Sequence, residues 1–147
     1  MLKEDFCITV IGKQKYDNEE ENEIKLDVLG SYSIKNGHKI IAYKEHDEET
    51  DTKGRTTILK IENDNILTMT KTGSETKLIL EKNKKHSCFY DTAFGSMQMD
   101  TFTNVFKNNL TDEGGFLEVN YVLDINSAYA SENNLYIKIK SKNKGMI

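Results

Sequence analysis

Apolar and polar side chains alternate with a period of two along most of this 147-residue chain. Such alternation is typical of β-strands with one buried face, and helical spacing of apolar residues is scarce. The first two runs carry their apolar residues at Phe6, Ile8 and Val10 and at Ile24, Leu26 and Val28. The pattern predicts about nine or ten strands.

Two glycine-containing pairs predict tight turns between neighbouring strands. Asn36-Gly37 is the strongest short signal for a two-residue hairpin, and it pairs Lys35 with His38. Gly73-Ser74 fits a type II′ turn, because glycine at the first position adopts a positive φ. The shared faces are then Tyr32, Ile34, Ile41 and Tyr43 in the first hairpin, and Leu67, Met69, Leu78 and Leu80 in the second.

The Asn63-Asp64-Asn65 segment predicts a three-residue hairpin loop. Asparagine tolerates the left-handed conformation that the last position of such a loop needs, so we assign that conformation to Asn65. This loop length brings Leu59 and Ile61 to the face that carries Leu67 and Met69.

The stretch YDTAFGSMQMDTFT, residues 90–103, changes phase at its glycine. Larger side chains fall on even numbers before it and on odd numbers after it. A two-residue turn at Gly95-Ser96 explains the change, because residues that flank such a turn pair and point the same way. The expected pairs are Phe94 with Met97, Thr92 with Met99 and Tyr90 with Thr101. The alternative is a β-bulge that bends one continuous strand.

Two later runs, FLEVNYVLDIN and NNLYIKIK, also alternate, with Leu117, Val119, Tyr121, Leu123 and Ile125 on one face of the first and Leu135, Ile137 and Ile139 on one face of the second. We expect SENN and LTDEGG to be loops. In TNVFKNNL, Phe106 and Leu110 are four residues apart, which admits a short helix as an alternative, although asparagine forms helices weakly.

These elements predict a single all-β domain over residues 1–147, an antiparallel meander of about 8–10 strands. Short loops join the strands, and no alternation of strands with helices is present. So many strands with one apolar face each must cover that face, and closing into a barrel does so while removing the sheet edges. A two-sheet sandwich is the alternative.

Charge and cysteine content restrict the partners and the compartment. The formal net charge is −4 and no block is dense in lysine or arginine, so nucleic acid is not an expected partner. No run approaches the ~20 apolar residues of a membrane helix, and no signal peptide is visible, which predicts a cytoplasmic protein without membrane contact. Cys7 and Cys88 are expected to be buried thiols in a reducing compartment, although their spacing also permits a disulfide.

Several segments resemble the YwiB-like family of uncharacterised bacterial proteins. The resemblance rests on GSYSIKNGHKIIAYKE, TTILKI, LTMTKTGSETKLIL, YDTAFGSMQM and GGFLEVNYVLDIN followed by Asn134, and its most specific positions are Tyr90, Thr92, Phe94, Gly95, Gly115 and Tyr121. It implies a calycin-like (lipocalin-type) β-barrel in a bacterial, intracellular setting, and no activity, substrate or catalytic residue. Relatives tend to carry arginine where this chain has Lys71, so a role for a planar guanidinium would not carry over.

The chain offers little recognisable catalytic or metal-binding chemistry, and we assign no catalytic residue, metal site or cofactor. His86 and Cys88 would point the same way on a strand, but the spacing identifies no third ligand. The acidic segment EHDEETD, residues 45–51, does not fit a calcium loop. A loop starting at Asp47 has Thr52 in place of the glycine, and one starting at Glu49 has Lys53 and Lys60 at ligand positions, so we interpret the segment as a solvated hairpin loop. Without a nucleophile–base arrangement, catalysis rests on fold analogy alone.

The predicted barrel interior is the candidate binding site for a small molecule. Its wall includes Met69, Lys71, Tyr90, Thr92, Phe94, Met97, Met99 and Tyr121. Methionines adapt to irregular shapes and a buried tyrosine hydroxyl needs a partner, which suits an apolar or amphipathic ligand. The same side chains suit a filled core equally well.

The second hypothesis is therefore a structural or interaction module with a filled core. Its outer face would bind a protein partner or a second copy of the chain as a homodimer. The apolar residues predicted for that face are Ile11, Leu29, Ile40, Ile79, Phe89 and Val122.

Overall fold

The computed structural model describes residues 4–16, 20–45, 55–73, 77–93 and 95–142. Ten strands lie within these ranges. They are β1 (Phe6–Tyr16), β2 (Glu21–Lys35), β3 (His38–Glu45), β4 (Arg55–Glu62), β5 (Ile66–Lys71), β6 (Lys77–Glu81), β7 (Lys85–Thr92), β8 (Gly95–Thr111), β9 (Gly114–Ile125) and β10 (Ala128–Ser141). The all-β class is confirmed.

The ten strands form one sheet in the order β6-β5-β4-β3-β2-β1-β10-β9-β8-β7. Every neighbouring pair is antiparallel, and β1 pairs with β10 from Phe6 opposite Ser141 to Tyr16 opposite Ser131. The first and last strands therefore join two meanders into one surface. This surface is a nearly closed barrel, consistent with the calycin-like architecture.

The barrel closes where β6 lies against β7 and β8, a junction that we call the seam. Lys82 and Thr103 form a single parallel bridge there, and the Asn83 amide donates to the Thr103 carbonyl at 2.7 Å. His86 Nε2 lies 2.8 Å from Glu81 Oε1. This hydrogen bond from His86 is the main reason that the pKa of Glu81 lies below its usual value. Side chains and one bridge thus replace a continuous ladder at the seam.

Among the side chains that the structure describes, fourteen buried ones from nine of the ten strands form the core. They are Ile8, Tyr32, Ile41, Tyr43, Leu59, Ile61, Leu67, Leu80, Phe106, Leu110, Leu117, Val119, Ile137 and Ile139. The predicted faces of β4, β5, β6, β9 and β10 are confirmed by this set. Ile24 and Ile34 lie on the predicted faces but are exposed, because each lies beyond the core in its strand.

The predicted turns are confirmed in part. Lys35 pairs with His38, and both Asn36 and Gly37 have positive φ, as a type I′ turn requires. Leu67 opposite Leu80 and Met69 opposite Leu78 confirm the register around Gly73, while Ser74 lies outside the described residues. The loop of residues 63–65 has the predicted length, but the left-handed residues are Asn63 and Asp64 rather than Asn65.

The Gly95-Ser96 turn is wrong by two residues. Thr92 pairs with Gly95, which leaves Ala93 and Phe94 between the strands, and Gly95 begins β8 with φ of +117°. Tyr90 is consequently opposite Met97 and not Thr101. Even-numbered residues of β7 still pair with odd-numbered residues of β8, as Cys88 opposite Met99 shows, because a shift of two residues leaves the alternation unchanged.

Two further expectations are corrected by the long strands: SENN lies inside β10, and the turn in LTDEGG consists only of Asp112 and Glu113. TNVFKNNL is part of β8, so the alternative of a short helix there is wrong. A register shift between Thr103 and Val105 changes the inward phase of β8 from odd to even residues. A second shift lies between Tyr129 and Ser131. Such bulges let a long strand continue with its core-facing side chains retained.

Candidate functional site

The two ends of the barrel differ in how completely the interior is filled. The buried core lies at one end, which we call the core end, where β1 and β9 begin and β8 and β10 finish. At the opposite end, the loop end, several inward-facing side chains, among them Met97 and Met99, are only half buried. Segments 17–19, 46–54 and 74–76 join strands at the loop end and lie outside the described residues. EHDEETD lies mostly in the second of these.

A row of polar side chains crosses the interior between the core and the loop end. Thr103, Tyr121, Asn133 and Gln14 are direct neighbours on β8, β9, β10 and β1. Gln14 Nε2 and Asn133 Nδ2 donate to Ser131 Oγ at 3.2 and 3.1 Å. We call these five residues the inner polar row. It forms a layer of polar groups above the apolar core, in which Gln14, Ser131 and Asn133 are hydrogen-bonded to one another.

Tyr121 is the member of this row best placed to contact a ligand. It packs on the core, and burial raises the pKa of its hydroxyl. The hydroxyl therefore stays protonated and able to donate near neutral pH. Among the described residues it has no hydrogen-bond partner. A half-buried hydroxyl with a free donor favours a polar atom of a bound molecule.

Apolar side chains extend from the inner polar row towards the loop end. Half-buried inward positions of β5, β6, β8 and β9 are Met69, Leu78, Met97, Met99, Leu123 and Ile125. At the ends of β3 and β5, Lys71 Nζ lies 3.3 Å from Glu45 Oε2, with 42% and 34% of these side chains exposed. The loop end thus combines an apolar wall, a polar floor and one ion pair.

The structure brings together part of the predicted site. Met69, Met97, Met99 and Tyr121 face the interior, and Lys71 lies at the end of the same face of β5. Tyr90 and Thr92 belong to β7 by their backbone, while their side chains and all of Phe94 lie outside the described residues. Whether the predicted residues bind a ligand stays a prediction.

The inner polar row is the feature that the sequence interpretation missed. Ser131 and Asn133 were placed in a loop because SENN is polar, although the alternation of Leu135, Ile137 and Ile139 continues back through them. Ser131 is fully buried, which shows that β10 keeps its inward phase past the last apolar residue. Extending the alternation through polar residues would have found the row.

A concavity of about 300 Å³ lies on the outer face of β1, β8, β9 and β10. Asn104, Asn120 and Asn134 line it, and Lys13, Lys15, Glu21 and Glu132 surround them. Asn134 donates to Glu118 at 3.1 Å and also to Asn120. Charges of both signs and paired amides give this groove the character of a solvated polar surface.

Other candidate chemistry is limited in the described part of the chain. Cys7 and Cys88 are free, and the expectation that both are buried is corrected, because Cys7 is exposed and Cys88 is half buried. No three His, Cys, Asp or Glu side chains there are grouped as metal ligands. None of the described segments is a helix with the length and apolarity needed to cross a bilayer.

Comparisons with known proteins agree with this architecture. The crystal structure of the ywiB protein from Bacillus subtilis superposes with a TM-score of 0.67, covering 93% of this chain and 94% of that chain at 16% identity. This likeness shows a shared fold. No curated protein sequence matches. Residues 8–137 match the family model described as a domain of unknown function, DUF1934. The chain therefore belongs to the DUF1934 family and is YwiB-like in fold.

Proposed function

We propose that this protein binds one small apolar or amphipathic molecule in the loop end of the barrel. The observation that carries the proposal is the half-buried state of side chains that point inwards there, above a core that is fully buried. Side chains such as Met97 and Met99 would be fully buried if the interior were packed throughout. A small barrel that does not fill itself holds a single small ligand.

The arrangement of polar groups specifies how such a ligand lies. Its apolar part packs on Met69, Met97 and Met99, whose flexible thioethers adapt to its shape. One polar atom accepts a hydrogen bond from the Tyr121 hydroxyl on the floor. The two free cysteines support a cytoplasmic setting for this binding protein.

The test begins with gently purified protein and three probes: dodecanoic acid, retinol and haem. Native mass spectrometry and thermal unfolding are expected to show one bound molecule of at least one probe, with a raised Tm. A bare-chain mass with no thermal shift for any of the three would overturn the proposal.

Two substitutions then locate the binding site. Met69→Gln introduces a polar group into the inner wall and is expected to weaken binding of the active probe by about tenfold, from the transfer cost of burying an amide. Thr68→Gln on the same strand faces outwards and serves as the matched control. Equal loss of binding in both variants would contradict an interior site.

A second candidate function is self-association through the outer face of β7 and β8. These strands end the sheet order at the seam, and their outer face exposes 67% of Phe89 and 43% of Phe102. Phe89 lies on β7, which ends the sheet, and Phe102 lies on the strand beside it. Exposed aromatic rings close to a sheet edge favour contact with a second copy of the chain. The other predicted outer residues contribute less, because all except Leu29 are half buried.

Analytical ultracentrifugation over a range of concentrations separates the two candidates. Self-association predicts a dimer that Phe89→Ser converts to a monomer, with Phe102→Ser weakening it. A monomer at every concentration would remove this candidate and leave the ligand proposal untouched.

A further inference from the structure

The seam contains a small pocket with three soft or borderline metal ligands. It has a volume of about 10 Å³, and its wall includes His86, Cys88 and Met99. A cavity of this size has room for roughly one water molecule or ion. Lys77, Leu78 and Ile79 of β6 line its other side, and Ser87 and Thr101 complete the wall.

The strand register brings the three ligand side chains to one side of the sheet. Cys88 is directly opposite Met99, and His86 is directly opposite Thr101. Residues opposite each other in an antiparallel pair point the same way, with Cβ atoms about 4.5–5.5 Å apart. Successive residues on one face of a strand are about 6.6 Å apart. A metal ion between the two sulfur atoms and the imidazole can therefore reach all three.

Glu81 prepares the histidine for this role. His86 Nε2 lies 2.8 Å from Glu81 Oε1, so Nε2 carries the proton that is donated to the carboxylate. The lone pair of a neutral imidazole is then on Nδ1. Histidines that bind metals usually donate their other ring N–H to a carboxylate in this way, which fixes the tautomer and the ring orientation.

We propose that Cys88, Met99 and His86 form a binding site for monovalent copper at the seam. Thiolate and thioether sulfur atoms select Cu(I) over hard cations, and imidazole is also a copper ligand. Zinc fits this pocket less well, because a structural zinc site takes four ligands and a thioether is a poor zinc ligand. The Cys88 thiol loses its proton to solvent as the copper–sulfur bond forms, and the oxidation state of copper does not change.

This proposal adds Met99 to the histidine–cysteine pair that the sequence spacing had left without a third ligand. The missing ligand, Met99, comes from the neighbouring strand. It is eleven residues after Cys88 in the chain and lies directly opposite it in the sheet. The site shares Met99 with the apolar wall of the loop end and no residue with the inner polar row. Copper binding and binding of an apolar ligand are therefore measured in separate experiments.

The chain supplies matched controls for each sulfur ligand. Cys7 is the other free cysteine and is exposed on β1. Met97 is two residues before Met99 on the same face of β8. Cys88→Ser and Met99→Leu remove proposed ligands, whereas Cys7→Ser and Met97→Leu keep them.

Copper binding is measured with Cu(I) kept reduced by ascorbate, in competition with the chromophoric chelator bathocuproine disulfonate. The expected result is one Cu(I) per chain, with affinity lowered at least tenfold by Cys88→Ser and by Met99→Leu. Cys7→Ser and Met97→Leu are expected to bind Cu(I) with the affinity of the natural chain, because neither removes a proposed copper ligand. Glu81→Gln should weaken binding by about tenfold, the usual cost of losing a partner of a metal-binding histidine.

X-ray absorption on the loaded natural chain provides a readout that does not depend on variants folding. The expected spectrum shows two sulfur atoms and one nitrogen around copper. The proposed site would be overturned if the natural chain failed to compete for Cu(I), or if the spectrum showed no sulfur ligand. Equal losses of Cu(I) affinity in Cys7→Ser and Cys88→Ser would also overturn it.

Discussion

Gly115 is the residue whose backbone conformation most restricts substitution. It enters β9 with φ of +130°, and a Cβ added there would lie against the carbonyl oxygen and carbon of Asn109. Residues other than glycine rarely adopt this φ, and the neighbouring β8 backbone leaves no space for a side chain. The turn between β8 and β9 therefore requires glycine at this position.

Gly115→Ala is expected to lower the free energy of unfolding by about 3 kcal/mol, from backbone strain together with overpacking. Gly12→Ala is the control, because Gly12 lies in β1 with no atom within 4 Å of an added Cβ. Its stability should stay the same or rise by up to about 1 kcal/mol. Urea denaturation of both variants measures the difference, and equal losses would contradict the account of Gly115.

Individual residues also show how much of the local backbone conformation could be predicted from the sequence. Asn36-Gly37 was located correctly, because both residues tolerate positive φ and few other pairs do. Gly95 was misplaced by two positions, since glycine at a positive φ fits either a turn or the first residue of a strand. Local conformation alone does not separate these two uses, and cross-strand packing decides between them.

At the scale of elements, β8 carries two buried threonines with different roles at the seam. Thr101 Oγ1 donates to the Ile79 carbonyl of β6 at 2.8 Å. Thr103, two residues further along, is fully buried, and its Oγ1 has no partner among the described residues. A threonine hydroxyl thus forms a cross-strand hydrogen bond at position 101 and remains unsatisfied at position 103.

Replacing each threonine with valine, a side chain of the same shape, is expected to have opposite effects. Thr101→Val should destabilise by about 1–2 kcal/mol, because the Ile79 carbonyl loses its donor. Thr103→Val should be neutral or stabilising by about 1 kcal/mol, because it removes a buried hydroxyl that has no partner. Thermal and urea unfolding of both variants, measured side by side, test these two expectations. A larger loss of stability for Thr103→Val than for Thr101→Val would contradict them.

The bulge in β8 explains why this element was ambiguous in the sequence. Phe106 and Leu110 are four residues apart, which places them on one face in a strand as well as in a helix. The extra residue near Asn104 also breaks the alternation that Thr101 and Thr103 begin. In the sequence, this segment therefore has two short stretches of alternation with different phase. Pairing with β9 joins them into one strand of seventeen residues.

At the scale of the whole molecule, Tyr32 links two strands across the core end. Its hydroxyl donates to the Thr111 carbonyl of β8 at 2.7 Å, and its ring meets Phe6 edge-on. Burial, and secondarily the charge of Asp112, raise the pKa of Tyr32 to about 12. The contact therefore joins distant parts of the barrel through a hydroxyl that must stay protonated.

Tyr32→Phe is expected to lower stability at pH 7 by about 1 kcal/mol, the net value of one hydrogen bond. The folded-state pKa lies above the unfolded value of 10.0, so this stabilisation is complete below pH 10 and is lost as pH rises through about 12. Urea unfolding at pH 8, 10 and 11 should show the difference between the natural chain and the variant narrowing. A constant difference would contradict the role of the hydroxyl.

The barrel as a whole was more predictable than its site. Alternation gave the strands and their buried faces, because one-sided burial in a sheet imposes a period of two. The seam was not predictable, since it depends on β6 meeting β7 and β8 through side chains and one bridge. The ligands that we assign there, Cys88 and Met99, are adjacent only because of that register.

The pairing of β1 with β10 has a consequence for synthesis on the ribosome. β1 is synthesised before the other strands of the sheet and pairs with β2 on one side. Its partner on the other side, β10, is synthesised after the other nine strands. Until then the nascent meander keeps a long unpaired edge, which is a template for contact with other chains. Such distant pairing slows folding, so chaperones that shield β1 should increase the yield of the finished protein.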